Sequence, residues 1–450
     1  VNPLYTAREL KHQLNDSGAR CIVILENFAN ILEGVIADTD VDHVVTTGLG
    51  DLLGWPKSTL TNLVMRHVKK AVPAYRFANR TPFNQALKIG AGKKLKPVDI
   101  GYADIAYLQY TGGTTGVSKG AMLSHRNMVY NVQQTITWQA DAYAGVEPII
   151  AITALPLYHI FSLEGNCLTV MAQGGENVLI SNPRDFEGFA KEIARFDFNL
   201  FTGVNTMFAS LMHTPSFDKI DFSPLRVCIG GGMAVQPAVA KEWKQKTGRT
   251  VLQGYGLTET SPVAICCTID SDFNGTIGLP VPSTDVIIVG DDGNELPLGE
   301  VGEICIKGPQ VMEGYWQRPK DTADVMLPGG WLKTGDVGRM DEDGFFWIED
   351  RKKDMILVSG FNVYPNEIEN VVVELDGILE AAAIGVTDER SGEVVKIFAV
   401  RKDERLTEQD IIDHCRANLT GYKRPKMIEF RDELPKTNVG KILRRELRDE

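Results

Sequence analysis

The sequence lacks three features that would place it in a specialised class of protein. Its seven cysteines are odd in number and scattered, and none form a Cys-x-x-Cys pair, which argues against a disulfide framework or a zinc ribbon. No run of about eighteen uncharged apolar residues occurs, because a proline, a histidine and a glutamate interrupt the most apolar region, residues 148–170. The 47 basic residues are outnumbered by 59 acidic ones, so no overall basic field is present to hold nucleic acid.

The composition is that of a globular protein. Its 450 residues are 43% hydrophobic and 24% charged, which is enough for two or three domains with well-filled cores. A basic cluster at Lys57, Arg66, Lys69 and Lys70 is typical of a solvated face, and a membrane-surface contact is the less favoured alternative. The chain opens without methionine or a signal peptide, so we expect a fragment of a cytoplasmic protein, with contact at the inner face of a membrane as an alternative. The sequence does not decide between a monomer and a homodimer.

Residues 110–120 combine four glycines, four threonine or serine side chains and a lysine. A strand is predicted just before them, at residues 104–110, and a helix capped by Ser124 just after. Hydroxyls, backbone amides and an ammonium can surround an anion, so the segment predicts a phosphate-binding loop, with a solvated turn as the alternative. It is not a Walker A loop, because Lys119 stands after Ser118 and before a glycine. The candidate phosphate ligands are Thr111, Gly112, Gly113, Thr114, Thr115, Gly116 and Lys119.

Two more segments place functional side chains at predicted strand ends. Residues 149–152 lead into Tyr158, His159 and Phe161, and ligands of open α/β sheets usually sit at such an end. A histidine satisfied inside a core is the alternative. Residues 227–233 form an apolar strand that runs into three glycines, so a planar ring such as adenine could lie against the bare backbone at Gly231 and Gly232, unless the glycines form only a tight turn.

A third segment, residues 251–262, carries an aromatic ring, a hydroxyl and a carboxylate within five residues. Tyr255 can stack on a base, Thr258 can bond a phosphate, and Glu259 can hold Mg²⁺, which prefers hard oxygen ligands. The alternative is a helix start with Thr258 as its cap and Glu259 in its first turn. Gly256 stands directly after Tyr255, where a bulky side chain could block a deep channel, so such a channel is permitted.

The chain predicts an α/β fold with two domains. A β-rich stretch begins at residue 278, and residues 343–354 change abruptly from an aromatic strand to a charge cluster, which we take as the boundary and a hinge. Residues 1–350 form the large N-terminal domain of stacked α/β subdomains with a β-rich subdomain, and residues 351–450 form a small, mobile α+β domain. In the small domain, Pro365 opens an amphipathic helix and Thr407 begins a capping box. Elsewhere, Thr6 is expected to cap a first helix and residues 21–25 to form a buried parallel strand.

The segment 110–120 resembles the phosphate-binding loop of the acyl-adenylate-forming enzymes, the superfamily of acyl-CoA synthetases, luciferases and peptide-synthetase adenylation domains. Its extension through residue 127 resembles the long-chain fatty-acid CoA ligases. This resemblance implies that the fragment lacks the first part of the large domain. It also implies a fatty acid, ATP and CoA as the small-molecule substrates and Mg²⁺ as cofactor.

The resemblance also assigns roles along the chain. It places Tyr158, His159 and Phe161 at the acyl site and makes residues 253–259 an ATP-binding segment. It further implies that Asp336 clamps the ribose and Arg351 contacts the nucleotide, that Lys353 is the hinge, and that Ser359 and Gly360 border the pantetheine arm of CoA. The implied sets are catalytic Lys441, Glu259, Thr258 and His159; metal-binding Glu259 and Thr114; and nucleotide-binding Gly231, Gly232, Gln253, Gly254, Tyr255, Gly256, Thr258, Asp336 and Arg351 with the loop residues above.

The expected mechanism has two steps on one site. A carboxylate attacks the α-phosphorus of ATP to give acyl-AMP, and after rotation of the small domain CoA takes the acyl group. Lys441 stands on a glycine-containing turn, so we expect it to be mobile, presented and able to neutralise charge in the first step, whereas Arg444 and Arg445 suit a tail that completes a helix dipole. Three alternatives stay open. The enzyme could transfer the acyl group to another acceptor, such as a carrier-protein thiol, or it could act on a medium-chain or aryl acid. The chain could also be a non-catalytic regulator that binds a nucleotide.

Overall fold

A computed structural model describes residues 1–111, 118–388, 390–437 and 440–448. The chain divides into two units, the first comprising Val1–Asp104 with Leu108–Ala121 and the second Ile105–Tyr107 with Met122–Glu450. Within the described ranges, none of the helices combines the length and the apolar content needed to span a lipid bilayer. The predicted α/β class is confirmed, because each unit contains both sheets and helices.

The first unit contains a three-stranded parallel sheet in the order β1-β2-β3. Thr6 caps its first helix in a capping box with Glu9, and that helix buries Leu10 and Leu14, as predicted. The prediction of a buried strand at residues 21–25 is wrong: β1 is an edge strand, and only Ile22 in it is buried. The elements are α1 (Ala7–Ser17), β1 (Cys21–Leu25), α2 (Ala29–Glu33), β2 (His43–Thr47), α3 (Lys57–Leu63), β3 (Arg80–Pro82) and α4 (Phe83–Ala91), with a π-helix over Val64–Val68.

Strands flank the glycine-rich segment on both sides. β4 (Ile105–Thr111) and β5 (Lys119–Ser124) pair as a two-stranded sheet. The next helix, α5 (His125–Gln139), begins at the predicted cap, where the Ser124 hydroxyl accepts a hydrogen bond from the backbone N–H of Asn127. The strand and the cap predicted around the segment are therefore confirmed.

The second unit is built on a seven-stranded sheet in the order β12-β11-β10-β9-β8-β6-β7. Strands β6 to β10 run parallel, and every residue of β8 and β9 is buried, which explains their continuous apolar sequence. Aromatic rings fill the core on one side of this sheet; Phe208 and Trp243, for example, pack edge-to-face with ring centroids 4.9 Å apart. The strands are β6 (Ile150–Thr153), β7 (Glu176–Leu179), β8 (Leu200–Gly203), β9 (Val227–Gly231), β10 (Leu252–Gly256), β11 (Val263–Cys266) and β12 (Leu279–Pro280).

Short helices connect these strands. The connection after β6 is unusual, because it contains a π-helix at Leu163–Leu168, a rare geometry that is frequent at functional sites. The helices are α6 (Ile160–Ser162), α7 (Thr169–Ala172), α8 (Phe186–Ile193), α9 (Asn205–Leu211) and α10 (Pro237–Thr247).

The β-rich stretch predicted after residue 278 forms an antiparallel sheet in the order β13-β14-β16-β15, with β17 paired to β16. Asp336 lies inside β16 and is buried, and the residue before it, Gly335, has a positive φ of 73°. The elements are β13 (Asp285–Val289), β14 (Gly302–Lys307), α11 (Pro319–Val325), β15 (Met326–Leu327), β16 (Trp331–Met340) and β17 (Phe346–Arg351).

The last part of the second unit has its own five-stranded sheet, in the order β19-β18-β21-β20 with β22 beside β21. The helix predicted at Pro365 forms and buries Ile368 and Val372, and Thr407 and Asp410 form the predicted capping box. The elements are β18 (Ile356–Val358), β19 (Phe361–Val363), α12 (Pro365–Val373), β20 (Ile378–Asp388), β21 (Gly392–Arg401), α13 (Glu408–Asn418), β22 (Met427–Arg431) and α14 (Arg444–Arg448).

Candidate active site

A tyrosine, an aspartate and an arginine from three strands form the centre of the site. The Tyr255 hydroxyl, on β10, donates to Oδ2 of Asp336 at 2.7 Å, and Nε of Arg351 lies 3.2 Å from Oδ1 of the same carboxylate. Asp336 and Arg351 face each other because β16 and β17 pair them in register. Burial, followed by the Asp336 charge, raises the pKa of Tyr255 well above its ordinary value, so the phenol stays a donor. Both carboxylate oxygens of Asp336 are therefore held in place.

Glu259 lies three residues beyond β10, on a 3₁₀ turn over Thr258–Thr260. Its Oε1 accepts a hydrogen bond of 2.6 Å from the hydroxyl of Tyr315, and its backbone oxygen accepts one of 2.8 Å from the N–H of Met312. The alternative interpretation of Thr258 as a helix cap is wrong, because Leu257 occupies the cap position and Thr258 is the first residue of the turn, although Glu259 does lie in that first turn. Sequence reasoning missed Tyr315: it lies 56 residues from Glu259, and only the fold brings the two together.

Lys441 reaches the end of β9 from the far end of the chain. The turn that carries it is tied down, since the Thr206 hydroxyl donates to the backbone oxygen of Gly440 at 3.2 Å and the Lys441 N–H donates to the Thr437 hydroxyl at 3.1 Å. Cε of Lys441 is 3.3 Å from the point that a Cβ at Gly232 would occupy. In this conformation the side chain lies against Gly232, and the expected mobility of this lysine stays a prediction.

The surroundings of Lys441 lower the pKa of its ammonium group. Burial and then the positive charge of Arg351 lower its pKa from 10.5 to about 8, although the carboxylates of Asp336 and Glu259 act in the opposite direction. The charge of Lys441 therefore interacts with those of three predicted site residues, Arg351, Asp336 and Glu259. The structure therefore gathers Tyr255, Glu259, Asp336, Arg351 and Lys441 in one region of the second unit.

His159 belongs to the same region. It is largely buried, its Nδ1 accepts from the backbone N–H of Phe161 at 3.3 Å, and burial together with the charge of Lys441 lowers its pKa to about 4. The imidazole is therefore neutral at physiological pH, and its Nδ1 lone pair fixes the ring orientation. The Phe161 ring lies against Gly231, 3.0 Å from the position of a Cβ there. In this structure the planar ring against the backbone of Gly231 is therefore the Phe161 side chain, where the sequence suggested adenine.

Other glycines and amides of the predicted site have local structural causes. A Cβ at Gly256 would lie 1.8 Å from the backbone oxygen of Pro262, so glycine is required there whatever substrate is bound. The inference from Gly256 to an open acyl channel therefore fails. The Gln253 amide bonds the backbone of Val235 and Thr276, at 2.9 and 2.8 Å, and so links loops beside the sheet. Gly254, paired with Gly231 across β9 and β10, lies against the side chain of Ile229.

The predicted hinge and CoA residues lie around β18. Lys353 has its pKa lowered to about 8, by burial and then by Arg351. Ser359 and Gly360 form a two-residue turn between β18 and β19, with φ angles of 51° and 85°. A Cβ at Gly360 would contact nothing within 4 Å, so in this conformation the positive φ rather than crowding favours glycine. The hinge and CoA roles stay predictions.

A buried ion network that the sequence did not reveal joins β17 to the last helix. Arg444 lies 2.7 Å from Oε2 of Glu369 and 3.5 Å from Oδ1 of Asp350, and the second oxygen of Asp350 accepts the backbone N–H of Asn366 at 2.8 Å. Burial raises the pKa of Asp350 to about 6 in spite of Arg444. The interpretation of Arg444 as part of a tail that completes a helix dipole is wrong, because it begins α14 rather than ending it.

Most of the predicted phosphate loop lies outside the described residues. Gly112, Gly113, Thr114, Thr115 and Gly116 lie outside the described residues, and Thr111 and Lys119 belong to the first unit. Across the described ranges, no three His, Cys, Asp or Glu side chains are grouped to hold a metal ion by themselves. Glu259 nevertheless suits Mg²⁺, which commonly takes one or two carboxylates and completes its shell with water and substrate phosphates.

Comparisons with known proteins agree with the geometry. The AMP-binding enzyme family matches residues 1–316, and the AMP-binding enzyme C-terminal domain matches residues 367–441. A long-chain-fatty-acid–CoA ligase of Escherichia coli is 55% identical over all of this chain and 80% of its own length. Among solved structures, ATP-bound MatB from Rhodopseudomonas palustris is 30% identical with a TM-score of 0.82, covering all of this chain and 82% of that one. An anthranilate CoA ligase, AuaEII, in complex with anthranoyl-AMP has 26% identity and a TM-score of 0.85, covering all of this chain and 81% of its own.

Proposed function

Because the chain belongs to the AMP-binding enzyme family, we propose that it activates a carboxylic acid with ATP as acyl-AMP and then transfers the acyl group to CoA. The observation that carries this proposal is the position of the Lys441 side chain against Gly232, where its charge interacts with those of Glu259, Asp336 and Arg351. A long-chain fatty acid is the proposed substrate, since ligases named for that substrate match the whole chain at 53–55% identity in several bacteria.

In the first step, the acid carboxylate attacks the α-phosphorus and pyrophosphate leaves. Negative charges meet at that phosphorus, so a nearby ammonium lowers the barrier by neutralising them, and Lys441 takes this role. Asp336, which Tyr255 and Arg351 hold in place, accepts hydrogen bonds from the ribose hydroxyls. Glu259 would hold Mg²⁺, which when bound neutralises phosphate charge. The neutral His159 and the Phe161 ring border the acyl group, together with Tyr158. Thr258 and the loop residues 111–119 complete the phosphate contacts in this proposal.

In the second step, the thiol of CoA attacks the mixed anhydride, the thioester bond forms and AMP leaves. Residues 351–450 act as the small domain, which turns about Lys353, withdraws Lys441 and brings Ser359 and Gly360 to the site. This division of labour explains why one small domain carries residues assigned to both steps. The domain division at residue 351 is part of the proposal.

The first experiment separates the two steps. Replacing Lys441 with alanine should reduce acyl-AMP formation by at least about 100-fold while leaving thioester formation from supplied acyl-AMP within about threefold of the parent. Arg445→Ala is the matched control, because it removes one cation from an exposed position in the same segment. Equal losses in both steps would contradict the proposed role of Lys441.

The second experiment addresses the substrate and the acceptor. An acid panel from acetate through palmitate to cinnamate, scored for CoA-dependent AMP release, should show the highest kcat/KM for palmitate. AMP release that needs a carrier-protein thiol instead of CoA would support the rival acyl-AMP ligase, and absence of ATP–pyrophosphate exchange would support the non-catalytic regulator. The proposed location is the cytoplasm with peripheral contact at the inner face of a membrane, and gel filtration would decide whether the chain forms a homodimer.

A further inference from the structure

The first unit contains a long segment without any negative side chain. Residues 52–98 include ten lysines and arginines and no aspartate or glutamate, whereas the other 403 residues carry 37 basic and 59 acidic side chains. A solvated face of an acidic protein would be expected to mix both signs. The exclusion of carboxylates from 47 consecutive residues therefore indicates a surface adapted to an anionic partner.

The same segment exposes an unusual amount of apolar surface. Of the 27 large apolar side chains that are exposed among the described residues, ten lie in residues 52–98, about a tenth of the chain. Single exposed apolar residues are normal, but such a concentration marks an interaction site. The most exposed are Leu52, Trp55, Leu60, Val68, Leu95 and Val98, between 65% and 94% accessible.

Local hydrogen bonds decide which face of this segment points outward. Oδ1 of Asn62, on α3, accepts from the backbone N–H of Gly50 at 2.8 Å, and its Nδ2 donates to Asp51 at 2.8 Å. These contacts hold the Asn62 side of α3 against its own unit. Leu60 and Leu63 lie on the exposed side, at 65% and 50% accessibility, and the exposed Lys69 and Lys70 follow the π-helix that continues α3.

We propose that this surface, defined as residues 52–70, docks on an anionic lipid membrane. An interfacial helix inserts apolar side chains to the level of the lipid headgroups while its basic side chains contact anionic phosphates. This surface supplies both, with the exposed Lys57, Lys69 and Lys70 as its cations, because Arg66 is paired with Glu26. The tryptophan at its edge, Trp55, is 88% accessible and suits the interface between headgroups and acyl chains. A second copy of the same surface is disfavoured, because two such surfaces would bring like charges together.

The test measures partition of the full chain into vesicles. Sedimentation with phosphatidylcholine vesicles containing phosphatidylglycerol should bind the protein, pure phosphatidylcholine should not, and 0.5 M salt should weaken binding. Lys69→Glu/Lys70→Glu should weaken partition by roughly 30-fold or more, at about 1 kcal/mol for each lost cation. The matched control Lys219→Glu/Lys320→Glu changes net charge equally at exposed positions outside the surface and should leave binding within about twofold.

Fluorescence gives an independent readout at the surface itself. The emission of Trp55 should shift to the blue when anionic vesicles are added, and Trp55→Phe should abolish the shift. Equal binding to neutral vesicles, or equal losses in the two charge variants, would overturn the proposal. So would a Trp55 that iodide cannot quench without vesicles, since another part of the protein would then cover it. Dissociation of a dimer by Lys69→Glu/Lys70→Glu without any vesicle binding would assign the surface to a second copy instead. All these measurements are independent of ligase activity.

Discussion

The pH dependence of acyl-AMP formation should report the titration of Lys441. The pKa of this lysine is lowered from 10.5 to about 8 in the folded protein, first by burial and then by Arg351. A lysine with a lowered pKa loses its charge at a lower pH than usual. At pH 9 only about a tenth of the free enzyme keeps this ammonium, against nearly all of it for an ordinary lysine. We therefore expect kcat/KM for acyl-AMP formation to fall about tenfold per pH unit above pH 8.

The assay is ATP–pyrophosphate exchange from pH 6 to pH 10 at saturating Mg²⁺. The kcat profile should turn down at a higher pH than kcat/KM, because bound triphosphate favours the charged lysine and kcat reports the complex. Lys441→Arg is the control, since a guanidinium keeps its charge throughout this range and its residual activity should show no fall near pH 8. Lys353 also has a pKa of about 8, so Lys353→Met should keep the fall if Lys441 causes it.

The pH dependence of the unfolding temperature gives a second test of the lowered pKa of Lys441. The unfolded chain binds a proton at this lysine up to about pH 10.5, while the folded chain releases it near pH 8, so its contribution makes the protein more stable as pH rises between these values. Lys441→Met should therefore raise the unfolding temperature at pH 7 and lose this advantage above pH 10.5. A flat kcat/KM profile up to pH 10, or the same fall in Lys441→Arg, would refute the reasoning.

Three further predictions follow from single contacts. Tyr315→Phe removes the hydroxyl that donates to Glu259, so the Mg²⁺ concentration for half-maximal exchange should rise about threefold to tenfold, with KM for the acid unchanged. Gly256→Ala should destabilise the fold by more than about 3 kcal/mol in urea unfolding, because its Cβ would overlap a backbone oxygen, whereas Gly90→Ala, with open space on a helix, should be neutral or stabilising by about 0.5–1 kcal/mol. Asp350→Ala should cost about 2–4 kcal/mol, because it removes one carboxylate from the buried Arg444, which keeps Glu369, and leaves the backbone N–H of Asn366 without its acceptor; an unchanged urea midpoint would contradict the network.

Local elements followed from the sequence where a short pattern determines them. The caps at Thr6, Ser124 and Thr407 and the apolar strand at Val227–Gly231 were predictable, because each depends on residues within a few positions of one another. The wrong prediction that residues 21–25 are buried arose because burial depends on distant residues. An apolar run shows that a strand is favoured, but its place at the edge of a sheet depends on partners elsewhere in the chain.

The site shows the same division. Residue chemistry in its local context was enough to nominate Glu259 as a hard oxygen ligand and Lys441 as a cation, while the family resemblance nominated Asp336 and Arg351. The lowered pKa of Lys441 and the hydrogen-bond and ion-pair partners of the other side chains came only from the tertiary structure. The hydroxyl of Tyr315 on Glu259 and the enclosure that lowers the pKa of Lys441 both join residues more than fifty positions apart. Burial and contacts between distant residues are properties of packing, so no local sequence pattern encodes them. They determine the pKa of Lys441 and the orientation of Glu259.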